Sequence, residues 1–380
     1  MNIYFDNAAT SSPKPPEVLE RVNAALTEFN ANPGRSGHSA ALSAAREVLS
    51  ARERLAALMN AGEETNIAFA FNCTDALNLA IKGALRYGDH VITTQLEHNS
   101  VLRPINALAA RGRISLSIVS PRADGFVDPE DIRASIRKNT RLIAVTHASN
   151  VTGAIQPVAA IGELARREGI LYLIDGAQAI GATPVNVRAL SCDLYAFPGH
   201  KSLLGPMGTG GLYIRPGVVL RTLREGGTGT DSESMLQPDE RPERYESGTL
   251  NLPGIAGLGA GCAFVAKRVS AIMSHERELT GALYEGLSAI RGAEIYSPRE
   301  EAARAGIVSF NLPGMTSSDV ADRLGRMGIA VRGGLHCAPG AHRFLGTLRR
   351  GAVRASVGYA NTFEEVDAFL NAVNAIVREG

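Results

Sequence analysis

The sequence predicts an α/β protein: a mostly parallel sheet covered by helices on both faces, followed by a smaller α+β domain. Three observations carry this. From about residue 60 to 215, short apolar, β-rich runs alternate with stretches of 3.6-residue periodicity, the pattern of strands joined by crossover helices. A polar segment, 224–251, then breaks the alternation. Beyond it helices and strands follow in a different, looser order.

The strand runs are IAFAF (67–71), HVITT (90–94), LIAVTH (142–147), LYLID (171–175), DLYAF (193–197) and GGLYI (210–214). Between them DALNLAIKGALRYG (75–88) and PVAAIGELARREG (157–169) read as helices, the second closing on basic residues and then glycine. Ligands of such sheets sit beyond the carboxyl ends of the strands. The 224–251 segment is rich in Gly, Pro and charge without apolar period, so it is a long loop, and loops of that length usually have a function. Helical stretches at 254–268 and 270–290 follow. Then come a strand (307–312), the helix SSDVADRLGRMG, the short strands IAVR and AVRASVG, and the amphipathic helix FEEVDAFLNAVNAIV. The expected division is a large α/β domain over 15–255, including the 224–251 loop, and a small domain over 256–380 joined by residues 1–14.

Composition narrows the function. A chain of 380 residues is long enough for two domains. A net charge of +1 gives no electrostatic case for nucleic acid or an anionic membrane, and the absence of tryptophan argues against a base-stacking surface. Cys73, Cys192, Cys262 and Cys337 are far apart with no C-x-x-C spacing. That argues against a disulfide framework, a zinc site or an iron–sulfur cluster, and suits a reducing compartment. The start MNIYFDNAATS lacks the basic and apolar regions of a signal peptide, and the apolar run from Leu252 to Ala266 is shorter than the roughly 20 residues of a membrane span. A cytoplasmic protein without metal is expected.

The chemistry concentrates in LYLIDGAQAIGATPV…DLYAFPGHKSLLG. Asp175 ends one apolar strand, and Lys201 lies in a Gly-His-Lys turn just beyond the next. Two strand ends of one sheet can bring both side chains to one crevice. A lysine there can bond an aldehyde cofactor, while the carboxylate keeps a pyridinium nitrogen protonated, as pyridoxal 5'-phosphate requires. Spacing alone also allows Asp175 to cap a loop and Lys201 to be a solvated charge.

DGAQ (175–178) followed by GHK (199–201) resembles the cofactor signature of class V aminotransferase-type enzymes of PLP fold type I, and more narrowly of the cysteine desulfurases. YFDNAAT (4–10), EHNS (97–100), SNVTG (149–153), RYESGTLN (244–251), RGGLHCA (332–338) and VRASVGYANT (353–362) occur in the family's order. The short loop before the cysteine of HCA is similar to the group II, Suf-type branch. The resemblance implies a seven-stranded, mostly parallel sheet and a homodimer.

It also implies roles. Lys201 would bond the cofactor and move the substrate Cα proton. Asp175 would pair with the ring nitrogen, Gln178 with the ring hydroxyl, and His98 would stack on the ring. Without the resemblance, His98 reads as a helix N-cap. Cys73, Thr74 and His200 would hold the phosphate, the first two at a helix start where free N–H groups also suit a plain cap. Thr249 would reach the phosphate of the neighbouring subunit. Arg354 would grip the substrate carboxylate by a bidentate pair, and Asn150 would contact cofactor or substrate.

Cys337, in RGGLHCAPG, reads from its neighbours alone as a structural thiol, a metal ligand or a nucleophile. The resemblance makes it the thiolate that takes sulfur from L-cysteine as a persulfide, releases L-alanine and passes sulfur to an acceptor protein. Arg332 and His336 are close enough in sequence to favour the thiolate. Two positions depart from the family pattern: Pro198 stands where Ser or Thr often precedes GHK, and Cys73 where Suf-type members commonly carry threonine. The rival activities are selenocysteine lyase, and an aminotransferase or C–S lyase that needs Lys201 and Asp175 but no thiol. A catalytically silent scaffold is the rival from outside enzymology.

Overall fold

The structure is a computed structural model and describes residues 2–34 and 36–379. In chain order its elements are β1 (Ile3–Tyr4), α1 (Pro16–Thr27), α2 (Ser39–Met59), β2 (Ile67–Ala70), α3 (Cys73–Ala84), β3 (His90–Thr94), α4 (Asn99–Ala110), β4 (Ser115–Val119), α5 (Pro129–Ala134) and β5 (Thr140–Thr146). Next come α6 (Val158–Arg167), β6 (Leu171–Asp175), β7 (Leu194–Pro198), β8 (Gly210–Ile214), α7 (Leu252–Ala266) and α8 (Val269–Ser288). The chain closes with β9 (Glu294–Ile295), β10 (Ile307–Asn311), α9 (Ser317–Arg326), β11 (Ile329–Ala330), β12 (Arg332–Gly334), α10 (Pro339–Phe344), β13 (Ala352–Ser356) and α11 (Phe363–Glu379).

Seven strands form the main sheet in the order β2-β8-β7-β6-β5-β3-β4. Only β8 runs against its neighbours, β2 and β7; the pairs from β4 through β7 are parallel. The carboxyl ends of the other six strands therefore share one edge. The six runs read from the sequence are all strands: three match at both ends, and three have ends shifted by one or two residues. The seventh, β4, escaped that reading for a physical reason: it is an edge strand, Ser-Leu-Ser-Ile-Val, whose first four residues are half-buried or exposed. Its apolar signal is diluted by serine.

Alternate side chains of the central strands enter two cores. Ile67, Phe69, Ile143, Ile174 and Tyr195 pack with residues of α2, α6 and α7. Ala68, Leu142, Leu173 and Leu194 pack with α3 and α4 on the other face. This period-two division over nearly all-apolar strands is what a sheet buried on both faces demands. A third core joins α8, α9 and α11 to the four-stranded antiparallel sheet β12-β13-β10-β9. Ile3 and Phe5 pack into that core, and β1 pairs in parallel with β11.

Residues 224–251 contain no helix or strand. The end of this loop is fixed by a buried ion pair: Arg52 donates to Glu246 at 2.5 and 2.8 Å, and Phe69 N–H donates to the same carboxylate at 2.6 Å. Its tip carries Met235 and Leu236, 98% and 81% exposed. No single described helix is long and apolar enough to cross a membrane.

Helix α6 lies so close to the chain before β7 that a methyl group on Gly162 would come 2.0 Å from the Leu190 carbonyl oxygen. Gly162→Ala is expected to cost about 1–3 kcal/mol through overpacking. Gly325 of α9 has nothing within 4 Å of the same position, so Gly325→Ala should stabilise by roughly 0.5–1 kcal/mol. Denaturant unfolding of the two variants reads both signs.

Candidate active site

A cavity of about 160 Å3 opens at the shared carboxyl edge of the sheet, lined by Cys73, Thr74, His98, Asn150, Asp175, Gln178, Pro198, His200 and Lys201 among others. Each comes from a segment leaving a strand: β2, β3, β5, β6 or β7. A larger cleft of about 760 Å3 lies at the opposite edge, beside Leu171 and Asp193. No lysine lines it.

Register explains why Asp175 and Lys201 meet. Strands β6 and β7 are neighbours with Asp175 paired to Ala196, so the turn five residues further on lies just above the Asp175 carboxylate. Asp175 is 3% exposed. Its Oδ1 accepts the Ala177 N–H at 3.0 Å and the Cys73 S–H at 3.6 Å. The Cys73 side chain thus meets the Asp175 carboxylate, and burial pushes its thiol well up. Burial pulls the Lys201 ammonium down to about 8, assisted by Arg354 and Arg332 and opposed by Cys73 and Asp175. A lysine brought this close to neutrality is a competent amine nucleophile.

The other end of the cavity is built for an anion. Asn72 caps α3 by accepting the Asp75 N–H at 2.9 Å. That leaves the N–H groups of Cys73 and Thr74, which no carbonyl of the helix can reach. His200 Nδ1 is buried without a partner among the described residues, and burial, then Lys201 and Lys14, lower its ring to about 4. The His200 carbonyl accepts from Ser11 and Lys14, which holds the turn against the N-terminal segment. Pro198 ends β7 opposite Gly210 and brings neither N–H nor hydroxyl.

His98 is the N-cap of α4: its Nδ1 accepts the Ser100 N–H at 3.1 Å. The cap reading and a place in the cavity wall hold together. Ser100 Oγ lies 2.9 Å from His98 Nδ1 and 2.7 Å from Thr74 Oγ1, joining His98 to the start of α3. Gln178 donates Nε2–H to the Ala8 carbonyl at 3.0 Å. Glu97, held near 8 by burial, anchors the cavity wall by accepting from Thr94 Oγ1 at 2.6 Å and Thr146 N–H at 3.1 Å.

Two expected residues stand just outside this lining and are tied to it. Arg354 is 2% exposed. It donates to Asp6 Oδ1 and to the Asn150 carbonyl, both at 3.0 Å, and its Nε is buried without an acceptor among the described residues. Cys337 is the one exposed cysteine of the four. Its loop is stitched to the cavity wall: Asn150 Nδ2 donates to the His336 carbonyl at 2.6 Å, and Asn99 N–H to the Cys337 carbonyl at 2.7 Å. His336 and Cys337 have φ of 48° and 56°, a left-handed pair that is uncommon for non-glycine residues. The thiol lies within electrostatic reach of Arg354.

His336 does not assist the thiol as its sequence position suggested. Its ring is buried, with Nε2–H donating to the Arg332 carbonyl at 3.1 Å and Nδ1 facing His342 Nε2 at 3.3 Å. Burial, then Arg354, drive it to about 3, so it carries no charge to offer a thiolate. Thr249 is not at this cavity. It is exposed, in the loop before α7, beside Phe71 and Ser247. Sequence reasoning missed Ser100, Asp6 and Glu97. Each stands inside or beside a motif it quoted, but capping and pairing partners carry no spacing signal of their own.

Comparison with known proteins gives the same direction. The sequence profile of the family described as Aminotransferase class-V matches residues 3–369. A probable cysteine desulfurase of Methanothermobacter thermautotrophicus is 39% identical over 96% of this chain and 92% of its own. A cysteine desulfurase of Serratia proteamaculans is 35% identical over 98% and 93%. The apo structure of cysteine desulfurase from Thermococcus onnurineus superposes with a TM-score of 0.94 at 35% identity, covering 100% of this chain and 95% of that one. The chain belongs to the class-V aminotransferases and, within them, to the cysteine desulfurases. That family uses pyridoxal 5'-phosphate. The residues present fit it: an amine near neutrality, a buried carboxylate beside it, and an unpartnered His200 nitrogen near a helix start.

The Lys201 value sets a pH dependence. Apoprotein mixed with pyridoxal 5'-phosphate should capture the aldehyde faster as pH rises toward about 8, where the neutral amine becomes the main form, and gain little above it. Stopped-flow visible absorbance follows the capture, and Lys201→Ala should lack the covalent phase.

Proposed function

We propose that the chain converts L-cysteine to L-alanine, taking the sulfur onto Cys337 as a persulfide and handing it to an acceptor protein. The observation that carries this is the stitching of the one exposed thiol's loop to the cavity wall through Asn150 and Asn99. A lyase or aminotransferase has no use for that arrangement.

Lys201 would hold the cofactor covalently, with Asp175 at its ring nitrogen, Gln178 at the ring oxygen and His98 against its face. Cys73 and Thr74 N–H groups and His200 would receive the phosphate. Once bound, pyridoxal 5'-phosphate supplies the electron sink that lets the substrate Cα proton leave and weakens the Cβ–Sγ bond. Arg354 binds the substrate carboxylate through N–H groups that Asp6 and Asn150 leave available. Lys201 Nζ carries the Cα proton. The Cys337 thiolate attacks the substrate sulfur; an S–S bond forms, the Cβ–S bond breaks, and protonation of the remaining carbon gives alanine. The sum is L-cysteine plus a thiol going to L-alanine plus a persulfide.

Four residues, 335–338, separate β12 from α10, and this short loop supports the group II, Suf-type branch. The exposed Met235 and Leu236 on the 224–251 loop, with exposed Thr249 at its end, support a homodimer in which Thr249 serves the partner's phosphate site. Four free thiols fit a reducing, cytoplasmic setting.

With L-cysteine and a reductant, wild type should form sulfide and alanine together, and Cys337→Ser should reduce both to background. Equal alanine from both proteins would make the enzyme a lyase. Arg354→Ala should raise KM for L-cysteine on the order of 10²-fold, the usual scale for losing a buried charge-assisted pair. Arg354→Lys should recover little of it, since an ammonium lacks the planar fork. Steady-state alanine assays measure both.

A further inference from the structure

A small polar crevice of about 30 Å3, sharing Gln178 with the cofactor cavity, lies between the N-terminal segment, the large domain and the second domain. Asn7, Ser11, Gln178, Ser202 and Glu276 face it. Glu276, on α8, is 8% exposed. Its carboxylate takes part in no hydrogen bond or ion pair among the described residues. A methyl group on Gly306 would lie 3.3 Å from Glu276 Oε2, which places that oxygen at the crevice wall.

Some of the donors around it are committed elsewhere. Asn7 Nδ2 donates to the Ser356 carbonyl and to Asn361 Oδ1, both at 3.1 Å. Gln178 Nε2 donates to the Ala8 carbonyl. The Ser11 hydroxyl shares its one proton between the Lys201 carbonyl at 2.9 Å and the His200 carbonyl at 3.1 Å. Among the described residues the Ser202 hydroxyl and the Gln178 side-chain oxygen make no hydrogen bond, beside an acid that makes none either. A buried, unpartnered carboxyl is held neutral by a proton or compensated by a bound cation.

We propose that this crevice binds one monovalent cation, an alkali metal ion or ammonium, with Glu276 as its single anionic ligand. The size suits an ion, since a water needs roughly 10–15 Å3 by the same measure. A single carboxylate selects single charge, because a divalent ion would leave an uncompensated positive charge in the interior. No cluster of three His, Cys, Asp or Glu among the described residues offers an alternative metal site. Binding exchanges ions one for one: the Glu276 carboxyl releases its proton to solvent as the cation enters. Burial holds that carboxyl near 8, so the cation competes best above that pH. Tyr359 lines the crevice, Lys14 bonds Ser11, and His275 of α8 bonds the Asn361 carbonyl; none of them moves Glu276. An ion here ties α8 to Gln178 and to Ser202, the residue after Lys201, and so locks the second domain onto the catalytic turn.

The test uses purified holoenzyme in potassium, sodium, rubidium and choline chlorides at equal ionic strength. One alkali chloride should raise Tm over choline by about 2 °C or more, saturably and by a larger margin at about pH 8.5 than at about pH 6.5. Glu276→Gln should abolish the difference, and crystals soaked in rubidium should show an anomalous peak beside Glu276. Equal Tm in all four salts with no peak in the crevice overturns the site. An unchanged ion response in Glu276→Gln places the ion elsewhere and overturns it equally.

Discussion

The pairing of β6 with β7 is the constraint on which the site depends. Asp175 ends one strand, Ala196 stands opposite it, and Lys201 follows at the next turn. Parallel registry of neighbours turns a separation of 26 residues in sequence into a shared crevice. The reversal of β8 extends this logic, because it makes β2 run with the rest and delivers the α3 start to the same edge. Burial then does the chemical work. The same desolvation that lowers Lys201 and His200 makes the cavity a place where a readily deprotonated amine and a neutral imidazole coexist.

The second domain contributes by hydrogen bonds across the seam rather than by lining the cavity. Asn150 is the joint: its side chain holds the His336 carbonyl, and its own carbonyl holds Arg354. One large-domain residue thus positions both the exposed thiol's loop and the guanidinium. Gly340 keeps this seam tight, since a methyl group there would lie 2.3 Å from the Gln95 carbonyl oxygen.

Strands buried on both faces were legible because nothing but apolar residues survives there, and β4 was not, because an exposed edge tolerates serine. Asp175 and Lys201 were legible as strand-end residues. Their partners were less so, because a contact such as Cys73 to Asp175, 102 residues apart, has no trace in spacing. His336 shows the opposite failure. Adjacency to Cys337 suggested assistance, yet successive residues of a turn point in different directions, and the imidazole turned inward to His342 and Arg332. Arg354, from another strand, lies within electrostatic reach of the thiol.

The anchored loop at Cys337 has a consequence for the reach of its thiol. Both flanking carbonyls are pinned and Ala338 is fully buried, so the peptide beneath the sulfur is a fixed mount. The freedom left to the thiol is torsion about its own Cα–Cβ bond. A group attached to that sulfur cannot be swung outward by the chain that carries it. Whatever meets the Cys337 sulfur has to come to it, because the loop beneath is held from both sides.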